Sequence, residues 1–160
     1  LNEETILRKG LDRFVNISRA FPNIQFIHIG KWTNKHGKQS MNALIKLKSE
    51  ALNNVRFLGF VSDGILERTF QESKVYLQLS RHEAFGLSVL EAMNHGCVPI
   101  VANAYALPEV VRGNGYTVKK YKECISAIED VFKTPKIKKN NINPTFDLSV
   151  RKDAFEKLMI

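Results

Sequence analysis

Lys74-Val75-Tyr76-Leu77-Gln78-Leu79-Ser80 runs directly into Arg81-His82-Glu83-Ala84-Phe85-Gly86-Leu87-Ser88-Val89-Leu90-Glu91-Ala92-Met93. The first part is a short apolar run of strand length. The second is a loop that turns at Gly86 into an apolar helix. Outward from this strand–loop–helix unit the same alternation continues. On the amino-terminal side, Leu7, Leu11, Phe14, Val15 and Ala20 mark an amphipathic helix that stops at Phe21-Pro22-Asn23, and Ile24 to Gly30 is a strand followed by a basic loop from Lys31 to Gly37. Met41, Leu44, Ile45, Leu47 and Leu52 predict a second helix, Val55 to Gly59 a strand, and Ser62-Asp63 the cap of a short helix carrying Ile65, Leu66 and Phe70. On the carboxy-terminal side, His95-Gly96-Cys97 ends the apolar helix and Val98 to Ala102 is a buried strand. Leu107 to Val111 is a short helix, Asn114-Gly115 a turn, Tyr116-Thr117-Val118 a strand and Tyr121 to Phe132 a helix. Strands alternating with helices predict a Rossmann-like three-layer α/β/α domain with a mainly parallel sheet. Such sheets bind ligands beyond the carboxyl ends of their strands. The loop from Arg81 to Phe85 lies at such an end.

Three segments are expected: a domain over residues 1–133, a basic linker over 134–146 with a proline near each end, and a final helix over 147–160 with Val150, Ala154, Phe155 and Leu158 on its apolar face. The 160 residues, 44% hydrophobic and 25% charged, have globular composition and can bury a core. No apolar run reaches the roughly 18 residues of a membrane span, and the first residues lack the basic flank and apolar core of a secretion signal. The expectation is a cytoplasmic protein. Cys97 sits in the apolar context Gly96-Cys97-Val98-Pro99, where a small buried hydrophobe is the commoner role, and neither cysteine has a partner at metal-ligand spacing. No metal site is expected. A net charge of +8 favours anionic partners. Nucleic acid is not expected among them, because the aromatic residues fall inside apolar periodic segments rather than among the lysines.

Glu83 and Glu91 bracket the helix start, and their spacing decides what they can do. Eight helical steps of ~1.5 Å separate them by roughly 12 Å along the axis and about 80° around it. Paired hydrolytic carboxylates stand ~5 Å apart in retaining glycosidases and up to ~9.5 Å in inverting ones. The two glutamates therefore do not share a proton. The amides of Gly86, Leu87, Ser88 and Val89 lie between them and form a helix start that attracts phosphate. Gly86 admits a ligand to the backbone without a Cβ. A molecule with hydroxyls at one end, phosphates in the middle and a ribose at the other fits, which is the anatomy of a nucleotide sugar. Ser88 is no hydrolase nucleophile, because glycine is missing two residues after it.

Five motifs in order give the chain a family resemblance. Glu83, seven residues and Glu91 form one; Arg8-Lys9-Gly10, Phe57-Leu58-Gly59-Phe60-Val61, Gly96-Cys97-Val98-Pro99-Ile100-Val101 and Leu107-Pro108-Glu109-Val110-Val111 are the others. Together they resemble the carboxy-terminal, donor-binding domain of retaining GT-B fold glycosyltransferases, the group 1 or family four class, over roughly residues 7–118. The resemblance implies that Glu83 contacts donor-sugar hydroxyls, Glu91 the ribose hydroxyls and Lys9 the diphosphate. Glu83 and Lys9 are then the catalytic candidates. Phe85 and the backbone from Gly86 through Leu87 and Ser88 to Val89 support sugar and phosphate, and Phe60-Val61 flank the base. His82 and Glu109 are secondary candidates. The substrate implied is a UDP-, GDP- or ADP-sugar, with no tightly bound cofactor and no metal. The acceptor, a glycan or lipid-linked sugar, is expected on an amino-terminal domain that these residues do not include. Glu3, Glu4 and Thr5 occupy the neighbourhood where the family usually carries an arginine. The expectation is half of an enzyme, at the cytoplasmic face of a membrane if the lysines from Lys119 to Lys139 make peripheral contact. The alternative function is a non-catalytic nucleotide or phosphosugar binding module.

Overall fold

The computed structural model describes residues 3–31 and 38–133. Helices α1 (Glu3–Lys9) and α2 (Leu11–Ser18) lead to strand β1 (Phe26–Ile29), followed by α3 (Lys38–Glu50), β2 (Val55–Gly59), α4 (Asp63–Glu72) and β3 (Val75–Gln78). Then come α5 (Leu87–Asn94), β4 (Val98–Ala102), α6 (Leu107–Val111), β5 (Tyr116–Val118) and α7 (Tyr121–Lys133). The expected basic loop beyond Lys31, the linker over 134–146 and the last helix over 147–160 lie outside the described residues.

Every strand pairing is parallel, as the helix–strand alternation requires. The single sheet expected from the sequence is instead two sheets, β1-β2 and β3-β4-β5. Beta-ladder bonds need strands ~4.8 Å apart. The facing edges of β1 and β3 line a cavity of about 740 Å³ rather than a ladder.

Strand β4 is the centre of the core. Val98 and Ile100 pack with Ile17, Cys124, Ala127, Ile128 and Val131, so α2 and α7 cover one face. Val101 packs with Val89, Leu90 and Met93 of α5 and with Leu107, Val110 and Val111 of α6 on the other. Covered on both faces, the strand is apolar at consecutive positions instead of alternating. Ile100 and Val101 are fully buried, each burial stabilising the fold by roughly 2 kcal/mol. Both cysteines are buried thiols outside any disulfide among the described residues.

One helix expected over Leu7 to Ala20 is broken into two at Gly10, which takes a left-handed conformation at φ 71°. A Cβ on Gly10 would stand 2.1 Å from the Leu79 carbonyl oxygen. The break therefore lets the chain press against the exit of β3, which brings the end of α1 to the loop beginning at Arg81.

Candidate functional site

Arg81 fixes the loop that carries Glu83. Its amide donates to the Arg8 carbonyl at 2.8 Å, and its guanidinium takes both oxygens of Asp12 at 2.8 and 2.7 Å while also reaching the Leu7 carbonyl. Such a two-pronged pair sets orientation as well as energy. Burial pushes the Asp12 carboxyl up, but the hydrogen bond and charge of Arg81 outweigh it and hold the group below its ordinary value. Three residues of α1 and α2 are thus tied to one loop residue roughly 70 positions away.

Lys9, the last residue of α1, meets Glu83 across this junction, with Nζ 2.8 Å from Oε2. Glu83 is mostly buried, at 16% side-chain exposure, whereas Lys9 keeps 38% and so remains open to a ligand. The same Oε2 accepts from Gln78 Nε2 at 2.9 Å. Gln78 also donates to Ser80 Oγ at 3.1 Å, and the Tyr76 hydroxyl lies 3.1 Å from Gln78 Oε1 and 2.8 Å from Ser88 Oγ. The Tyr76 phenol is pushed up to about 12, chiefly by burial, with the Ser88 hydrogen bond opposing and Glu83 and Glu91 adding to it. It stays protonated at any working pH. Tyr76 and Glu91 line the same cavity, and Gln78 links that hydroxyl to Glu83.

Gly86 caps α5 at φ 88°, and a Cβ there would meet Leu107 Cδ2 at 2.8 Å. The amides of Gly86, Leu87 and Ser88 have no acceptor among the described residues, leaving an open helix start. Val89 departs from the sequence reading. Its amide already donates to the Gly86 carbonyl at 2.9 Å and its side chain is fully buried in the α5–α6 core. Three open amides remain where four were expected. Phe85 packs against that core, and the Leu87 side chain is exposed.

Lys9, Ser88 and Glu91 line the cavity between the sheets, together with Tyr76, Gln78 and Ser80. Glu91 is exposed on the second turn of α5; its carbonyl meets His95 Nδ1 at 2.8 Å, while its carboxylate makes no hydrogen bond or ion pair among the described residues. Phe60 and Val61 follow β2 and form no part of the cavity wall; Phe60 is 81% exposed. His82 is exposed and rests on Tyr105, with ring centroids 5.1 Å apart. Tyr105 is the only non-glycine residue at positive φ among those described. Glu109 is exposed in the first turn of α6 without a side-chain partner among the described residues, the position a helix dipole favours for an acid.

Tyr76 and Gln78 were not singled out from the sequence. Their signal was present: Tyr76, Gln78 and Ser80 alternate along one face of an otherwise apolar strand. No group of three or more histidine, cysteine, aspartate or glutamate side chains is placed to hold a metal among the described residues. No helix among them is long and apolar enough to cross a membrane.

The family described as "Glycosyl transferases group 1" matches residues 6–145. A glycogen synthase from Elusimicrobium minutum is 29% identical over 107 residues, covering 66% of this chain and 21% of that protein. Among solved structures, sucrose-phosphate synthase from Thermosynechococcus elongatus superposes with a TM-score of 0.70 at 23% identity, over 80% of this chain and 34% of that one. The carboxy-terminal domain of a group 1 family glycosyl transferase from Francisella tularensis superposes with a TM-score of 0.64 at 24% identity, over 79% of this chain and 70% of that one. The likeness to these structures is one of fold. The chain spans about a fifth of the length of the glycogen synthase it matches.

Proposed function

This chain belongs to the group 1 glycosyl transferases, and from that premise we propose that it is the donor-binding part of a retaining glycosyltransferase. It binds a nucleotide-diphosphate sugar, and the complete enzyme passes the sugar to a hydroxyl of a glycan or lipid-linked acceptor held by an amino-terminal domain. The observation that carries the reading is the Lys9–Glu83 pair at 2.8 Å, a cation and a carboxylate joined across 74 residues beside the open start of α5. With the Lys9 ammonium still open to solvent, such an ion pair contributes only about 1 kcal/mol to stability, which is little reason to converge two distant segments. Convergence at a helix start with three open amides makes sense for a ligand that carries both phosphates and hydroxyls.

In the ligand-free chain Lys9 and Glu83 neutralise each other. A bound donor replaces that pairing on both sides, with its diphosphate on Lys9 and the Gly86, Leu87 and Ser88 amides and its sugar hydroxyls on Glu83. Glu91, one helical turn further along α5, takes the ribose hydroxyls, and Phe60-Val61 lie at the base. When the bond from the sugar's anomeric carbon to the diphosphate breaks, negative charge grows on the leaving phosphate oxygen. Fixed positive groups aimed at that oxygen stabilise the transition state more than the ground state. Lys9 and the helix start supply them without a metal, and this part of the enzyme needs no nucleophile of its own.

Titration with UDP, GDP and ADP tests the reading. One of them is expected to raise the melting temperature of the chain, with the effect falling as Glu91→Ala weakens binding roughly tenfold through a lost charged hydrogen bond. No protection by any of the three, or full protection of Glu91→Ala, counts against it. Joining the chain to its amino-terminal domain and measuring sugar transfer separates an enzyme from a module that only binds.

A further inference from the structure

The carboxylate of Glu83 is held at only one of its oxygens. Lys9 Nζ and Gln78 Nε2 both donate to Oε2, and no described residue donates to Oε1. The Gln78 amide has a forced orientation, since turning it over would set its carbonyl oxygen against the carboxylate. With Nε2 toward Glu83, Oε1 faces the Tyr76 hydroxyl as a pure acceptor at 3.1 Å. Tyr76 has one proton to give, and Gln78 Oε1 can only receive it. Ser88 therefore donates its own proton to the phenol oxygen across 2.8 Å. The result is a one-way chain, Ser88 to Tyr76 to Gln78 to Glu83, which joins the first turn of α5 to the loop before it. It leaves Ser88 Oγ as an open acceptor at one end and Glu83 Oε1 at the other.

We propose that Gln78 is a positioning residue that locks the Glu83 carboxylate so that Oε1 faces a hydroxyl of the donor sugar, which gives the site its preference for a nucleotide sugar over the bare nucleoside diphosphate. The proposal rests on the donor-binding reading above and adds to it the part of the ligand that Gln78 governs. A purely apolar residue at position 78 would complete the strand equally well, but it would turn the Tyr76 proton toward Ser88 Oγ and leave Lys9 as the one remaining hold on the carboxylate, a hold that a bound diphosphate releases.

Calorimetric titration with UDP against UDP-glucose, and GDP against GDP-mannose, compares the wild-type chain with Gln78→Met and Gln78→Glu. Gln78→Met is expected to leave nucleoside diphosphate affinity within about twofold and to weaken the nucleotide sugar roughly tenfold. Gln78→Glu sets two carboxylates face to face. Its sugar-specific loss is expected to exceed that of Gln78→Met at about pH 8 and to shrink toward pH 5, as the introduced carboxyl gains a proton to donate. Equal losses for diphosphate and sugar, or no sugar-specific loss, overturn the proposal. A ligand-free measurement stands beside it: the 13C carboxyl resonance of Glu83 is expected to move in both Gln78→Met and Tyr76→Phe. An unmoved resonance in both overturns the positioning role. If the wild-type chain binds none of these four ligands, nor ADP or ADP-glucose, the donor-binding reading fails, and the resonance alone decides whether Gln78 holds Glu83.

Discussion

Strands β4 and β2 are each five residues long and both pair in parallel, yet β4 is buried at every position and β2 at none. The difference lies in what covers them. Helices α5 and α6 sit on one face of β4 and α7 with α2 on the other, while β2 contributes Phe57 as a partly buried edge to a small cluster of Ile6, Leu11, Val15 and Leu47. The loop bearing Glu83 and the start of α5 hang from the densely packed half. Lys9 comes from α1, which packs with the sparser half through Ile6. The site is thus assembled at a seam, and the contacts that fasten the seam matter as much as those that fill the core. Arg81 with Asp12, and Gly10 against Leu79, are the fastenings.

The most damaging way to break this arrangement is at Gly10. Its positive φ and the 2.1 Å approach of a Cβ to the Leu79 carbonyl oxygen leave no room for a methyl group against backbone. Gly10→Ala is expected to lose at least ~3 kcal/mol by urea denaturation, and to separate Lys9 from Glu83. Core truncation comes next and should expose the contrast between the halves. Leu107→Ala, at a fully buried site, is expected to cost ~3 kcal/mol, against ~1 kcal/mol for Leu58→Ala at a half-buried position of β2. Similar costs at the two sites would erase the distinction.

His28 on β1 sharpens the comparison through pH. Burial pushes its pKa down from 6.5 to about 4. The folded chain keeps the ring neutral while the unfolded chain binds a proton below about 6.5. Its contribution is therefore complete above that pH and is lost as pH falls toward 4, by at most ~3 kcal/mol. Amide exchange in β1 and β2 is expected to accelerate before that in β4 across this window, and His28→Phe to flatten the dependence.

Most of the architecture was readable from periodicity. Val55 to Gly59, Val98 to Ala102, Leu107 to Val111 and Tyr116 to Val118 occur where the pattern places them, because each is a short, mainly apolar segment set between polar or glycine-bearing turns. The break at Gly10 was not readable. The residues around it keep one helical period, and the cause of the break is the Leu79 carbonyl, distant in sequence. The same limit applies to the site. The turn at Gly86 gave the open start of α5, but the eight helical steps counted from Glu83 to Glu91 do not apply, because Glu83 lies in the loop before the helix. The Tyr76–Gln78–Glu83 chain depends on how a strand end, a loop and a helix start are folded together. Alternation put Tyr76, Gln78 and Ser80 on one face, but nothing local said that Glu83 would return to that face. Val89 shows the opposite error: a first-turn amide counted as open is used by the turn at Gly86.

In the proposed complex Gly86, Leu87 and Ser88 face a diphosphate beside Lys9. Amide hydrogen exchange resolved by residue, with and without saturating UDP, GDP or ADP, tests it most directly. Slowed exchange is expected at those three amides and in the segment around Lys9, with Val89, already bonded, unchanged. Protection confined to the basic surface between Lys119 and Lys133, with the start of α5 exchanging as before, would contradict it.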